Sequence, residues 1–301
     1  MRVLIVGSGL IGRRIAATVA AGGDEPVLAS RNGNPGAGLP SGRWVSLDIT
    51  DRSQCAEVVD RVRPEAVVLV HGPSDVTWCE ENPARAMHDH TTAALNLAGS
   101  AGTAKVLLIS TDNVFDGGAA WNDESATTRP TNAYGRAKLA AELALRDRLP
   151  DATVLRVSLV YGWEPPGAST WLNFFAACAH RLRRGLPVEA PGDLWTTPVL
   201  VDDVAAVTTG LLRDPAGRLL HLGGPDRVSR ADWARVIAEE VGVDPGLVRS
   251  VARAQSRYAC RPTNSCLRSV VLDSLACTRD IPVRGVRQAA RLLVTSVEPA
   301  S

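Results

Sequence analysis

The chain has 301 residues, about twice the length of a typical domain, so one fold with a second lobe, or two domains, is the expectation. Lys and Arg number 33 against 32 Asp and Glu, a formal charge of +1, and with no sustained basic run a grip on nucleic acid or anionic lipid has no support. Hydrophobic residues at 45%, charged residues at 22% and aromatics at 4% exclude disorder, collagen and coiled coil and read as a compact α/β protein.

Short β-branched runs alternate with Ala-rich helical stretches along the first half. The expected elements are strand 2–6 with helix 11–21, strand 26–29, strand 44–47 with helix 51–62, and strand 66–70 with helix 83–99. Strand 105–109 with helix 133–147 and strand 153–160 complete the series. Uninterrupted apolar runs such as Val3-Leu4-Ile5-Val6 and Val67-Val68-Leu69-Val70 suit a parallel sheet buried on both faces. The alternation therefore predicts an α/β fold with a doubly wound parallel sheet. After Gly162 the rhythm changes. Pro165-Pro166-Gly167 reads as a loop, 170–185 as helical, 218–222 as a strand, 229–241 as a helix, and the rest as an irregular tail. The expected division is a first domain over 1–162, completed by about 199–222, and a smaller interleaved lobe over 163–198 and 223–301 that holds substrate.

Six scattered cysteines, with no C-x-x-C pair and no histidine at zinc-site spacing, read as reduced thiols in a cytoplasmic protein with no bound metal. His88 and His90, two residues apart, point to different sides of a helix and do not make a metal site. The apolar run 3–6 is broken by Gly7 and Gly9 and followed by Arg13-Arg14, which does not suit a signal peptide. No apolar stretch approaches the ~20 residues of a membrane span.

Gly7-Ser8-Gly9-Leu10-Ile11-Gly12 follows the first strand and opens a helix. In a dinucleotide-binding turn the first glycine allows the tight bend, the second lets backbone approach a pyrophosphate, and the third permits close helix–strand packing. The helix N-terminus then offers free N–H groups to the phosphates. At the end of the second strand stands Ala29-Ser30-Arg31-Asn32, with no carboxylate for a ribose 2′-hydroxyl. Arg31 suits a 2′-phosphate, so NADPH is the expected cofactor, with NADH as the alternative. Asp48-Ile49, after the third strand, has two readings. Asp48 accepts from an adenine amino group while Ile49 packs on its ring, or Asp48 caps the next helix.

Asn132-Ala133-Tyr134-Gly135-Arg136-Ala137-Lys138 places Tyr134 and Lys138 four residues apart, on one helical face. A phenol titrating near 10 is a weak acid–base catalyst at neutrality, and a nearby ammonium favours its ionised form. The preceding strand ends in Ser110-Thr111-Asp112, offering hydroxyls at the sheet edge where ligands bind.

With these residues in place the chain resembles the extended short-chain dehydrogenase/reductases, and within them the dTDP-4-dehydrorhamnose reductase branch. The family's S-T-D-Y-V-F-D-G is matched by Ser110 to Gly117, its Y-G-x-x-K by Tyr134 to Lys138, and its L-R-x-S-x-V-Y-G by Leu155 to Gly162. Its T-P-x-x-V-D-D is matched by Thr197 to Asp203 and its R-P-x-N-S-x-L by Arg261 to Leu267. The likeness runs almost end to end. It implies a Rossmann fold and reduction of a ketone, with hydride from NADPH. Tyr134 would donate the proton, Thr111 would aim the carbonyl, and Lys138 would lower the Tyr134 pKa and hold the nicotinamide ribose. Ser110 is a less favoured substitute for Thr111.

The departures fall on the substrate side. Asn113 replaces a tyrosine, Leu159 a tryptophan, and Leu194, Val199 and Leu200 polar or aromatic residues. His71-Gly72-Pro73 replaces small residues beside the cofactor, and His90 stands where an asparagine is usual. His71 and Gly72 join the expected cofactor contacts; Asn113, Asn173, Trp195 and Arg261 are the expected substrate contacts. Trp171, Phe174 and Phe175 read as core before pocket lining, Arg181, Arg183 and Arg184 as a solvated face, and Asp202 and Asp203 as helix caps. A nucleotide-linked 4-keto-6-deoxysugar is the expected substrate, and a homodimer is compatible with the reading. A ketoreductase or epimerase acting on a non-nucleotide metabolite, and a non-catalytic NADP-binding regulatory subunit, stay open.

Overall fold

A computed structural model of the chain describes residues 1–31, 43–164, 172–214 and 217–296. The expected loop at 165–167 and Trp171 lie outside the described residues. In chain order the main sheet contains β1 (Arg2–Val6), β2 (Glu25–Ser30), β3 (Arg43–Ser46), β4 (Ala66–Leu69), β5 (Lys105–Thr111), β6 (Thr153–Val157) and a last strand, Leu219–Leu222. All pairings in this sheet are parallel. Across it the order is Leu219–Leu222, β6, β5, β4, β1, β2, β3. The winding therefore reverses between β1 and β4, and a crevice opens there at the strands' carboxyl ends. The doubly wound parallel sheet expected from the alternation is present.

The helices are α1 (Leu10–Ala21), α2 (Arg52–Val62), α3 (Val76–Glu81), α4 (Pro83–Met87), α5 (Ala93–Ala98), α6 (Ala133–Arg148), α7 (Phe174–Arg183), α8 (Val201–Leu211), α9 (Arg230–Glu240) and α10 (Val286–Thr295). Side chains alternate across β1, so Leu4 and Val6 pack with residues of α2, α5 and α6, while Val3 and Ile5 pack with α1 and α8. All four are 0–2% exposed, each contributing roughly 1.5–3 kcal/mol of burial. A third core joins α7, α9 and α10 around Trp233, Tyr161 and Phe175.

The tail expected to be irregular contains ordered elements. Val248–Val251 pairs with Val188–Pro191, and α10 packs on α9 through Val286, Ala289, Ala290 and Leu293. That i, i+3, i+4, i+7 stripe is legible in the sequence, though Arg-rich surroundings mask it. Asp202 and Asp203 are not caps. Both lie in the first turn of α8, whose N-cap is Leu200. Asp203 is buried against Arg284, and Asp202 pairs with Arg14 at 2.8 Å.

One charged group pair crosses the sheet interior. Arg156 of β6 donates through Nε to both Glu142 oxygens at 3.1 Å and through Nη2 at 2.7 Å. Ser110 donates to the same carboxylate, and Arg156 reaches His221 Nε2 at 3.4 Å. His221 Nδ1 in turn donates to the Asn122 carbonyl at 3.1 Å. Two ions in the core are tolerated only when each is fully hydrogen-bonded, and removing one strands the other. Arg156→Met is therefore expected to cost about 3–5 kcal/mol in urea unfolding, and adding Glu142→Met should recover most of that loss.

Candidate active site

The glycine turn has the backbone that a bound pyrophosphate needs. Gly7 sits at φ +125°, and a side-chain carbon there would lie 2.5 Å from the Val70 carbonyl oxygen, so only glycine fits. A side-chain carbon on Gly12 would drive into the Gly7 carbonyl, 3.0 Å from its carbon. Gly9 faces the other way: a side-chain carbon there would meet nothing within 4 Å. Gly9 caps α1 with no side chain, and no acidic residue occupies the first turn. The N–H groups of Leu10, Ile11 and Gly12 thus have no intrahelical partner and stand at the positive end of the helix. These residues fit a dinucleotide phosphate.

At the adenosine end Arg31 is exposed, one residue past β2. Asp48 does not cap a helix; that role belongs to Asp51. Its carboxylate instead accepts from the Thr50 hydroxyl at 2.7 Å and the Thr50 N–H at 3.0 Å. The Thr50 hydroxyl, with Arg31 among the smaller influences, holds Asp48 below the usual carboxylate range. Ile49 is 9% exposed and belongs to the sheet core.

The strand end and the helix that follows it bring Thr111, Tyr134 and Lys138 together. Thr111 closes β5 and caps the turn Asp112–Val114. Its hydroxyl accepts from the Asn113 N–H at 3.1 Å and Nδ2 at 3.2 Å and donates to Asp112 Oδ1 at 3.1 Å. Asn132 caps α6 by accepting from Gly135 N–H at 2.8 Å and donates to Asn113 Oδ1 at 3.0 Å. One turn along α6, Lys138 is buried and donates to the Ile109 carbonyl at 2.7 Å. Ser110 points away, to Glu142.

The electrostatics depart from expectation. Burial holds the partly exposed Tyr134 phenol above its ordinary range, and the group that pulls it down most is Thr111, not Lys138. Burial lowers Lys138 itself to about 8, with Glu142 opposing, and its amine donates to the Ile109 carbonyl.

His71 and His90 are 7% and 2% exposed. His71 Nε2 lies 3.1 Å from the His90 carbonyl and His90 Nε2 3.1 Å from the Pro73 carbonyl. Gly72, between them, sits at φ +91° under the His90 ring.

On the substrate side, the Asn113 amide is fully engaged: Nδ2 also donates to Asp112 at 2.8 Å, so it braces Thr111. Asn173 is likewise a structural cap. It accepts from Ala176 N–H and donates to the Gly162 carbonyl at 2.7 Å and to Glu164 at 2.9 Å. Leu194, Val199 and Leu200 are buried core at 0–2% exposure, so these departures change packing. Arg181, Arg183 and Arg184 are exposed on α7 and the turn after it.

Trp195 and Arg261 belong to a cluster that the sequence reading missed. Arg227 stacks on Trp195 at 4.1 Å, Arg257 and Arg261 each lie 5.0 Å from the Tyr258 ring, and Arg230 lies 4.7 Å from Phe174 and 5.2 Å from Tyr258. Arg230 is 4% exposed, and its Nε and Nη1 have no partner among the described residues. Burial lowers it to about 10, while the charges of Tyr258 and the strand-end Asp112 oppose the shift. The signal was present in α9: Arg230 shares the face of Trp233, Ala234, Ile237 and Ala238, and a cation on an apolar helical stripe needs a reason.

A glycine turn on this sheet, with threonine, tyrosine and lysine at its carboxyl edge, defines an NAD(P)-dependent oxidoreductase of the extended short-chain dehydrogenase/reductase class. The chain belongs to the family described as RmlD substrate binding domain, which matches residues 1–297. It is 34% identical over 251 residues to the dTDP-4-dehydrorhamnose reductase of Mycobacterium tuberculosis, across 80% of this chain and 79% of that one. To a probable low-salt glycan biosynthesis reductase of Haloferax volcanii it is 32% identical over 264 residues, covering 86% and 87%. Its fold matches that of the dTDP-4-dehydrorhamnose reductase of Bacillus anthracis in complex with NADP, with a TM-score of 0.80 at 21% identity over 97% and 98% of the chains. Among the described residues no helix is long and apolar enough to cross a membrane.

Lys138 makes a pH prediction. Its native pKa of about 8 lies below the unfolded value of 10.5, so between these limits the unfolded chain holds a proton that the native protein has lost. Stability from this group should rise with pH from about 8 to 10.5, by on the order of 3 kcal/mol. Comparing urea unfolding of the native sequence with Lys138→Met, without added nucleotide, isolates that rise; a constant difference across the window would contradict it.

Proposed function

We propose that this chain reduces the ketone of a nucleotide-linked 4-keto-6-deoxysugar with NADPH, using Tyr134 as proton donor. The observation that carries the substrate class is Arg230. Two buried guanidinium donors without partners, ringed by Phe174, Tyr258 and Trp233, sit in an environment that favours a diphosphate. Arg227, Arg257 and Arg261 add charge, and Trp195 and Tyr258 offer faces for a base. The named reductase relatives support the same reading.

NADPH is preferred because Arg31 stands where a carboxylate would otherwise meet the ribose, and the Bacillus relative holds NADP. Residues 7–12 and the first turn of α1 would hold its phosphates, and Lys138 its nicotinamide ribose. When bound, the cofactor supplies hydride to the ketone carbon. Thr111 turns its hydroxyl from Asp112 to the ketone oxygen, donating a hydrogen bond that fixes its direction. As charge grows on that oxygen, the Tyr134 O–H proton transfers to it, leaving a phenolate. Lys138, losing its proton near pH 8, is matched to return one to Tyr134. Because burial favours the protonated phenol, Tyr134 is loaded as an acid at neutral pH.

Loss of reduced-nicotinamide absorbance with a dTDP-4-keto-6-deoxyhexose tests the reaction. Tyr134→Phe should lower kcat by about 10²–10⁴-fold while NADPH still binds; an unchanged rate would remove Tyr134 from the chemistry. The nucleotide handle is tested separately. dTDP should compete with substrate in the native protein, and Arg230→Met should weaken that inhibition by about 10- to 100-fold, the worth of a charged hydrogen bond. Turnover that dTDP does not affect would point to a non-nucleotide ketone. Absence of turnover on a panel of ketones, with tight association to a larger enzyme, would point to a regulatory subunit.

A further inference from the structure

Asp112, at the end of β5, is buried at 5% exposure in a chain of hydroxyls that leads away from the catalytic threonine. Its Oδ1 accepts from the Thr111 hydroxyl at 3.1 Å and from Asn113 Nδ2 at 2.8 Å, and its Oδ2 accepts from the Ser158 hydroxyl at 3.2 Å. Ser158 lies 3.1 Å from the Thr196 hydroxyl, and these two residues are 3% and 1% exposed. A hydroxyl has a single hydrogen. Ser158 gives its hydrogen to Asp112, so Thr196 donates to Ser158. Thr111 accepts from both the Asn113 N–H and Nδ2, which fills its lone pairs. Its hydrogen therefore belongs either to Asp112 or to a ketone oxygen.

Moving that hydrogen to a ketone leaves a buried carboxylate one donor short, which is unfavourable. Arg230 of α9, 4% exposed, is the cation that supports the ionised carboxylate. Tyr134 of α6 and Cys266 of the tail also feel the Asp112 charge, and burial already holds the carboxyl above its usual range. A diphosphate on Arg230 cancels the supporting cation and brings negative charge into a region of low dielectric. Loss of the Thr111 hydrogen and arrival of the diphosphate thus act in one direction, towards a proton on Asp112. A protonated Oδ2 donates to Ser158, which turns its own hydrogen towards Thr196. The chain reverses by rotation of hydroxyls, and Thr111 is released.

We propose that Asp112 is a positioning residue that holds the Thr111 hydroxyl in the unliganded protein and takes up one proton from solvent when a nucleotide diphosphate occupies Arg230, so that the hydroxyl turns to the ketone. The proton returns to solvent as product leaves, so the net reaction consumes only the proton that Tyr134 gives. This rests on the reading of Arg230 as the diphosphate site. It makes the nucleotide handle act at the reacting centre as well as in binding, which is how remote binding energy raises kcat.

The probe is dTDP-glucose, which has no ketone to reduce and whose bridged diphosphate exchanges no proton near neutrality. Calorimetric titration of the full chain with NADPH present, in buffers of different ionisation heat from about pH 6 to 8, counts the protons bound. The native protein should take up a fraction of a proton, and Asp112→Asn, which mimics the protonated carboxyl, less. By linkage the native affinity should fall with rising pH by up to about 10-fold per unit, and Asp112→Asn should flatten that slope. Ser158→Ala keeps the carboxyl but removes one of its donors, so its uptake should peak at a higher pH. A merely structural role would change unfolding and leave these proton counts alone. No uptake by the native protein, equal uptake by Asp112→Asn, or a peak that Ser158→Ala leaves in place would overturn the proposal, with Arg230 still the diphosphate site. Failure of dTDP-glucose to bind, or binding that Arg230→Met does not weaken, would overturn both.

Discussion

The close approach of the first turn of α6 to the end of β5 is the contact on which the crevice depends. A side-chain carbon on Gly135 would lie 2.9 Å from the Asn113 carbonyl carbon and 3.0 Å from Pro130, so helix and strand end meet backbone to backbone. The glycine in Tyr134-Gly135-x-x-Lys138 is thus a packing requirement. Asn132 reinforces it from one side, capping α6 while donating to Asn113, and Asn113 braces Thr111 from the other. Tyr134 and Thr111 are brought together by this short chain of fixed groups. Pre-set geometry of this kind is what makes proton transfer efficient, because little remains to be ordered when substrate arrives.

The charges around this contact are sorted by side and by depth. On the sheet interior, Glu142 satisfies Arg156 and Ser110 together, so a full ion pair is spent on joining β5, α6 and β6. On the crevice side the pattern is reversed. Lys138 and Arg230 are buried with few partners, and both are pulled down by burial. Asp112, held up by burial although Thr111, Asn113 and Ser158 hydrogen-bond it, is the buried carboxyl that opposes Arg230. A region with buried cationic donors and few carboxylates stores an unmet demand for an anion, and in low dielectric that demand is strong.

Much of this was legible because it follows from local rules. Apolar strands with β-branched residues, the glycine turn at the first strand, and a tyrosine four residues before a lysine each state a physical need that the neighbouring sequence repeats. The readings that changed depend on contacts distant in the chain. Asp203 looks like a cap until Arg284, 81 residues away, is seen against it. Asn173 looks like a ligand contact until Gly162 and Glu164 fill its amide. Burial of Lys138, and the rise of the Tyr134 phenol above its ordinary range by its own burial, could not be read from the heptapeptide alone.

The same reasoning relocates where substrate preference is set. Positions that depart from the family pattern drew notice in the sequence, yet Leu194, Val199 and Leu200 are core and the Asn113 amide is consumed by its neighbours. What differs there can shift backbone by fractions of an ångström but presents no polar atom of its own. Among the described residues, the buried groups without a hydrogen-bond partner include Arg230, Arg227 and Trp233 at the substrate lobe and the two histidines behind the tyrosine. Recognition costs least where donors and acceptors are already desolvated and held in place, since binding then adds partners without first removing water. On the proposed function, selectivity in this crevice would follow from which buried groups are left without partners more than from residues already satisfied within the protein.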